Sequence, residues 1–425
     1  SLPKRKQGLA GRLSYAYDGK YMAEVNMGYN GSENFAKGHR WGFFPSIALG
    51  YNISEESFFE PLRKVITSMK LRGSWGLVGN DQIGGERFIY MPTINLSGKG
   101  FTTGIDQNYG LSGPVYTRYE NNSITWEVGE KINLGIDLQL LNSLNIVVDI
   151  FRETRRDIFQ KKGTIPTYLG TGNTDVFGNL AEMKNQGLDL SIDYNKAFSK
   201  DFYMNFKGTF TYAHNEITKY DEAPKYAFQS KVGQSANVSQ GYLSNGLFLD
   251  EAEIDRYNQQ MGSTLGAGDI KYLNVSNMHG YGDDIVDVDD WTWIGNPTVP
   301  EIVYGFGPSF KYKNWDFSFF FQGVAKTSLF MSGFHPFGDN SLRNVLQFVA
   351  NDRWSPTNQN VDAKYPRLTR KTSLNNTNPG NSGRTSDYWM RDGSFLKLKN
   401  MELGYTFKRM RFYISGSNLL TFSKF

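Results

Sequence analysis

The side chains best suited to chemistry crowd into one stretch, residues 269 to 290, which holds Asp269, Asn274, Asn277, Asp283, Asp284, Asp287, Asp289 and Asp290. Hard oxygen donors at this density suit Ca2+, so Asp269, Asn274, Asn277, Asp283 and Asp287 are candidate ligands. A solvated acidic loop is the plainer alternative. The EF-hand spacing is not met, because Val275-Ser276 and Met278-His279-Gly280-Tyr281 interrupt the donors. His39, His214, His279 and His335 stand far apart without a metal partner at helical spacing and read as loop surface. There is no nucleophile elbow, phosphate loop or HExxH, so neither enzymatic activity nor a cofactor beyond such a Ca2+ is expected. The remaining candidates are rings. Tyr168, Trp291, Trp293, Phe334 and His335 offer platforms on which a bulky polar solute stacks, or else they pack loops together.

All of these residues lie in long connections, and the segments between the connections alternate with period two. Leu9, Leu13, Tyr15 and Tyr17 share one face of the first segment. Asp18-Gly19-Lys20 turns the chain, and Tyr21, Ala23, Val25, Met27 and Tyr29 continue the pattern on the return. The same reading predicts strands over Ile47 to Ile53, Leu71 to Leu77, Ile132 to Leu140, Leu144 to Ile150, Leu188 to Tyr194 and Phe202 to Tyr212. It adds Ile302 to Tyr312, Trp315 to Phe321, Leu396 to Phe407 and Phe412 to Leu420. That makes about twelve. Short connections, near 18–20, 141–143, 196–201, 313–314 and 408–410 with a medium one at 54–68, alternate with long ones at 31–41, 79–125, 156–185, 216–301 and 326–394. In the longest loop, Leu247 to Met261 reads as a short helix started by acidic residues, and a candidate contact for a partner.

Composition narrows the class. Hydrophobic residues make up 39% of 425, and no run approaches the roughly 20 apolar residues a spanning helix needs. Aromatic residues reach 15%, with 31 Phe, 25 Tyr and 8 Trp beside 45 Gly, which suits strands and turns. Without cysteine there is neither a disulfide framework nor a thiolate metal site. The charge of +4, from 46 basic and 42 acidic residues without a basic block, gives no footprint for nucleic acid. Ser1 to Lys6 lacks the apolar core of a signal peptide, so the chain reads as mature or truncated.

A soluble β-sandwich or propeller also alternates, but its core would have to bury Asp137, Asp189, Asp193, Lys207 and Asp316. A water-filled barrel lumen leaves them hydrated. Tight turns at one end and long loops at the other, with rings such as Tyr17, Tyr21, Phe202, Tyr312, Trp315, Tyr405 and Phe412 at strand ends, match a transmembrane barrel. The expectation is an all-β, antiparallel up-and-down transmembrane β-barrel with long extracellular loops, in a bacterial outer membrane and in contact with its lipid.

Several motifs extend this reading: Arg40-Trp41-Gly42-Phe43-Phe44-Pro45-Ser46, Leu71-Arg72-Gly73-Ser74-Trp75-Gly76, Thr125-Trp126-Glu127, Asn185-Gln186-Gly187-Leu188-Asp189, Gly268-Asp269-Ile270-Lys271-Tyr272, and Tyr388 to Asn400. In this order they resemble the SusC/RagA family of TonB-dependent outer-membrane transporters. The resemblance implies that residues 1–425 are the C-terminal half of a 22-stranded barrel, strands about ten to twenty-one, with plug and closing strand outside the chain. An open wall would leave two unpaired edges in hydrocarbon, so a longer chain or a pairing partner is expected. The resemblance also implies TonB-energised import of oligosaccharides or oligopeptides, a SusD-like lipoprotein lid, and contact with TonB through the plug. In many members the segment matching 269–290 is similar to a calcium-type loop, from which this spacing departs. A passive porin or surface adhesion barrel is the alternative, and a soluble carbohydrate-binding β-protein a third.

Overall fold

A computed structural model describes residues 5–83, 87–165, 174–257, 259–260, 265–281, 283–333, 337, 342–371, 376 and 385–424. Twelve strands form one antiparallel sheet: β1 (Lys6–Tyr17), β2 (Tyr21–Ser32), β3 (Trp41–Asn52), β4 (Ile66–Asn80), β5 (Glu127–Leu140), β6 (Leu144–Lys161), β7 (Phe177–Ala197), β8 (Phe202–Lys219), β9 (Ile302–Tyr312), β10 (Trp315–Ala325), β11 (Phe395–Phe407) and β12 (Met410–Ser423). Each pairs with the next along the chain, so the strands predicted from alternation are the strands of the wall. Among the described residues the sheet is open, with β1 and β12 at its edges.

The alternation in sequence becomes two surfaces because register carries each residue into a row across the sheet. One row runs Leu49, Gly73, Leu134, Ile150, Leu188, Tyr212, Ile302. The next, one residue displaced and facing the other way, runs Gly50, Arg72, Gly135, Asp149, Asp189, Thr211. On the first face Leu134 and Ile150 are 62% and 61% exposed, which in water would forfeit about 1.5–3 kcal/mol per side chain. Hydrocarbon removes that penalty, so this is the lipid face. The other face carries ion pairs such as Arg12–Glu24 and Arg72–Asp137 and lines the lumen.

Tight turns follow from left-handed residues at their centres. Asp18 and Gly19, and Leu141 and Asn142, all have positive φ, and Lys20 and Ser143 each close an i to i+3 hydrogen bond at 3.0 Å. Two departures from expectation concern the ends of strands. β6 and β7 run to Lys161 and back to Phe177, well past Ile150 and Leu188. The hydrogen-bonded ladder continues after the wall has left the hydrocarbon, where apolar alternation is no longer required. The connection 81–126 contains a hairpin, Thr93–Thr103 with Tyr109–Arg118, whose three register shifts and intervening glycines break the period-two pattern. The predicted helix shortens to Glu251–Arg256, with Asp250 accepting from the Glu253 amide, and Tyr257 already extended; Met261 lies outside the described residues.

Candidate functional site

Connections 220–301 and 326–394 do not hang separately from the wall. They share an apolar core of Tyr242, Leu247, Tyr272, Phe337, Trp354 and Trp389 among others, with Trp389 and Tyr272 fully buried. Asp269, fully buried, binds Arg367 through both carboxylate oxygens; it also accepts from Asn376 Nδ2 at 2.6 Å and from the Gly266 amide at 2.9 Å. The carboxylate raises the Arg367 pKa still further above its ordinary value. Burial raises the Tyr388 phenol, which donates to the Ala363 carbonyl at 2.8 Å.

The five candidate Ca2+ ligands do not form a cage. Asp269 is committed to Arg367. Asn274 caps the turn Val275–Met278 by accepting from the Asn277 amide, and donates to the Asp283 carbonyl at 2.9 Å. Asp283 accepts from Asn274, Ser276 and the Ile285 amide. Asp287 caps Val288–Asp290 in a reciprocal box with Asp290. Asn277 is exposed. The neighbouring Asp290 accepts from the amides of Ser276 and Asp287 and has its carboxyl pKa raised by burial; Asp289 pairs with Lys225. Asp269, Asn274, Asp283 and Asp287 thus spend their oxygens on amides, the Ser276 hydroxyl and Arg367, an arrangement that does not fit a metal cage. Among the described residues no three His, Cys, Asp or Glu converge. His214 pairs with Glu301 and His279 stacks on Phe228 at 4.7 Å.

Of the aromatic candidates, Tyr168, Phe334 and His335 lie outside the described residues. Trp291 packs edge-on against Tyr242 at 6.0 Å, part of the loop core rather than a free platform. Trp293 is different. Its indole donates to the Ser230 carbonyl at 2.8 Å, and its ring lines a cleft of about 370 Å³ with Tyr220, Lys231, Gln240, Ile158 and Ile217. An adjoining cleft of about 350 Å³, sharing Met183 and Ala236, is lined by Glu153, Arg155, Asn185, Asn215, Asn237 and Glu301. Arg155, Asn185 and Asn215 come from β6, β7 and β8 beyond the apolar band, on the lumen side. Asn215 Oδ1 accepts from Ser235 Oγ and the Ala236 amide, fixing the loop that roofs both clefts. Amides, charged side chains and the rings of Trp293 and Tyr220 around these clefts can bind a large polar solute by hydrogen bonds and stacking. The sequence reading missed these amides because it stopped each strand at its last apolar residue; their period-two spacing from Asp189 and Thr211 was the available signal.

Residues 3–419 match the family model described as TonB dependent receptor-like, beta-barrel. The chain is 26% identical to TonB-dependent receptor P3 of Formosa agariphila over 98% of its own length and 41% of that protein's. It is 28% identical to TonB-dependent receptor SusC of Bacteroides thetaiotaomicron over 94% of its length and 38% of that protein's. The chain thus spans about two fifths of the curated relatives it matches. Its fold superimposes on the RagAB peptide transporter with a TM-score of 0.71 at 20% identity, covering 99% of this chain and 44% of that one.

Proposed function

The chain belongs to the TonB dependent receptor-like, beta-barrel family, and from that premise we propose that this outer-membrane protein is a SusC/RagA-type transporter. It imports oligosaccharides or oligopeptides, driven by TonB and working with a SusD-like surface lipoprotein. The observation that carries the reading is the cleft between wall and loop lobe, lined by rings, amides and charged groups on the lumen side at the long-loop end. A solute captured outside meets Trp293, Gln240 and the amides of Asn185, Asn215 and Asn237 on its way into the lumen. The amides and rings suit the hydroxyls of an oligosaccharide, and Lys231, Glu153, Arg155 and Glu301 on the same clefts supply ionic partners for an oligopeptide.

Uptake of labelled oligosaccharides and oligopeptides by cells with and without the gene tests this reading. Energy-dependent uptake that is lost on deleting either the gene or TonB supports it. Uptake that survives TonB deletion points to a passive pore, and surface binding without uptake points to an adhesion barrel.

A further inference from the structure

Gly73 on β4 has no local reason to be a glycine. Its backbone lies outside the left-handed region, and a methyl group there would meet only Leu134 Cδ2, at an ordinary 3.4 Å. A glycine inside a strand costs stability and marks places where a ligand comes close to the backbone. On the lipid face Gly73 lies in the row Tyr15, Ala23, Leu49, Gly73, Leu134, so Ala23 and Gly73 leave low points on either side of Leu49. The rows beside it carry full-sized side chains, Ile47 and Trp75 towards the long loops and Tyr51 and Leu71 towards the short turns. The low points join in an apolar groove of about 550 Å³ bounded by Tyr15, Tyr51 and Leu134.

The short-turn end of the groove is polar. The stacked rings of Tyr21 and Tyr51, 5.1 Å apart, both donate their hydroxyls to Glu56 Oε1, at 2.6 and 3.4 Å. Lys20 Nζ stands 3.6 Å from Glu56 Oε2 and 3.4 Å from Asp18. Phenols settle at the headgroup level of a membrane, and short turns lie on the periplasmic side, so the groove opens into the periplasmic leaflet. In the two turns at this end the carboxylates Asp18, Glu55, Glu56 and Glu60 outnumber Lys20, Arg63 and Lys64. That balance disfavours an anionic headgroup and favours one that carries an ammonium beside its phosphate.

We propose that this groove seats an acyl chain of a phosphatidylethanolamine of the periplasmic leaflet, with the headgroup ammonium among the carboxylates around Glu56 and the phosphate towards Lys20. The groove is continuous with the lipid face, so hydrocarbon is what covers it. A chain lying over Gly73 touches the backbone below and Leu49 and Leu134 at its sides, and gains dispersion contacts that a chain over a full-sized row does not. The site requires the outer-membrane wall but not the transport reading.

The test uses the full-length protein purified in detergent and titrated with phosphatidylethanolamine or phosphatidylglycerol of the same acyl chains, read by native mass spectrometry. The wild type should prefer phosphatidylethanolamine. Gly73→Leu, which fills the groove, should lower that affinity about fivefold. Glu56→Gln should bring the two lipids close to equal, and Ile150→Leu elsewhere on the lipid face should change nothing. Equal binding of both lipids by the wild type, which needs no variant to fold, overturns the proposal. So does a Gly73→Leu variant that holds phosphatidylethanolamine like the wild type. A wild-type dimer that Gly73→Leu dissociates also overturns it, because the groove would then be an interface between copies of the chain.

Discussion

Arg72 and Asp149 meet across a glycine. They stand on β4 and β6, two strands apart, and the guanidinium reaches over Gly135 on β5 to place Nη2 3.0 Å from Asp149 Oδ2, while also holding Asp137. A methyl group at Gly135 would sit 2.5 Å from Asp149 Oδ1 and 2.8 Å from Arg72 Nη2. The device recurs where Arg411 reaches Asp316 beside Gly404. These glycines are there for close approach across the inner wall, which lets charged side chains lie flat against the sheet and keep one another compensated.

Gly135→Ala is therefore expected to break the Arg72–Asp149 contact and to lower stability by about 1–2 kcal/mol, measured by urea unfolding of the barrel in lipid. Because both changes remove one contact, adding Asp149→Asn should cost little more. Full additivity would show that the glycine matters for another reason.

The loop lobe depends on Asp269 and Arg367. Arg367→Met leaves a fully buried carboxylate without its cation, at a cost of about 3–5 kcal/mol. Limited proteolysis of intact outer membranes should then cut within 220–301 while the wall stays protected. A lobe as resistant as the wild type would mean that the ion pair does not hold it.

In the cleft, Trp293→Ala and Asn185→Ala should each weaken solute binding by about 1–2 kcal/mol, seen as a raised Kd in calorimetry with the imported solute. Trp291→Ala should instead loosen the lobe, since that ring packs on Tyr242. The reverse pattern would place the solute elsewhere.

Chelation of divalent cations should leave proteolysis of the 269–290 loop unchanged, because Asp269, Asp287, Asp289 and Asp290 are held by amides, Lys225 and Arg367. Ca2+-dependent protection would contradict this.

The wall was legible in the sequence because one physical demand, lipid on one side and water on the other, acts on every second residue from Leu9 to Leu420. Strand ends were not, since a ladder such as Glu153 to Lys161 in water needs hydrogen bonds but no apolar face. The loop lobe was illegible for a different reason. Asp269 and Arg367 are distant in sequence, and nothing local distinguishes a carboxylate that will meet a guanidinium from one that will bind a cation. Trp291 and Trp293 look alike in sequence; only the tertiary fold sends one into a core and leaves the other on a cleft.

The central claim is a membrane wall whose faces alternate residue by residue, and β6 tests it most directly. Single cysteines placed at Ile146, Val147, Val148, Asp149 and Ile150 in an otherwise cysteine-free chain can be probed in intact outer membranes with a water-soluble maleimide. The expected result is reaction at Val147 and Asp149, on the lumen face, and protection at Ile146, Val148 and Ile150. Uniform reactivity along the five positions, or protection of Asp149 with reaction at Ile150, would contradict the account.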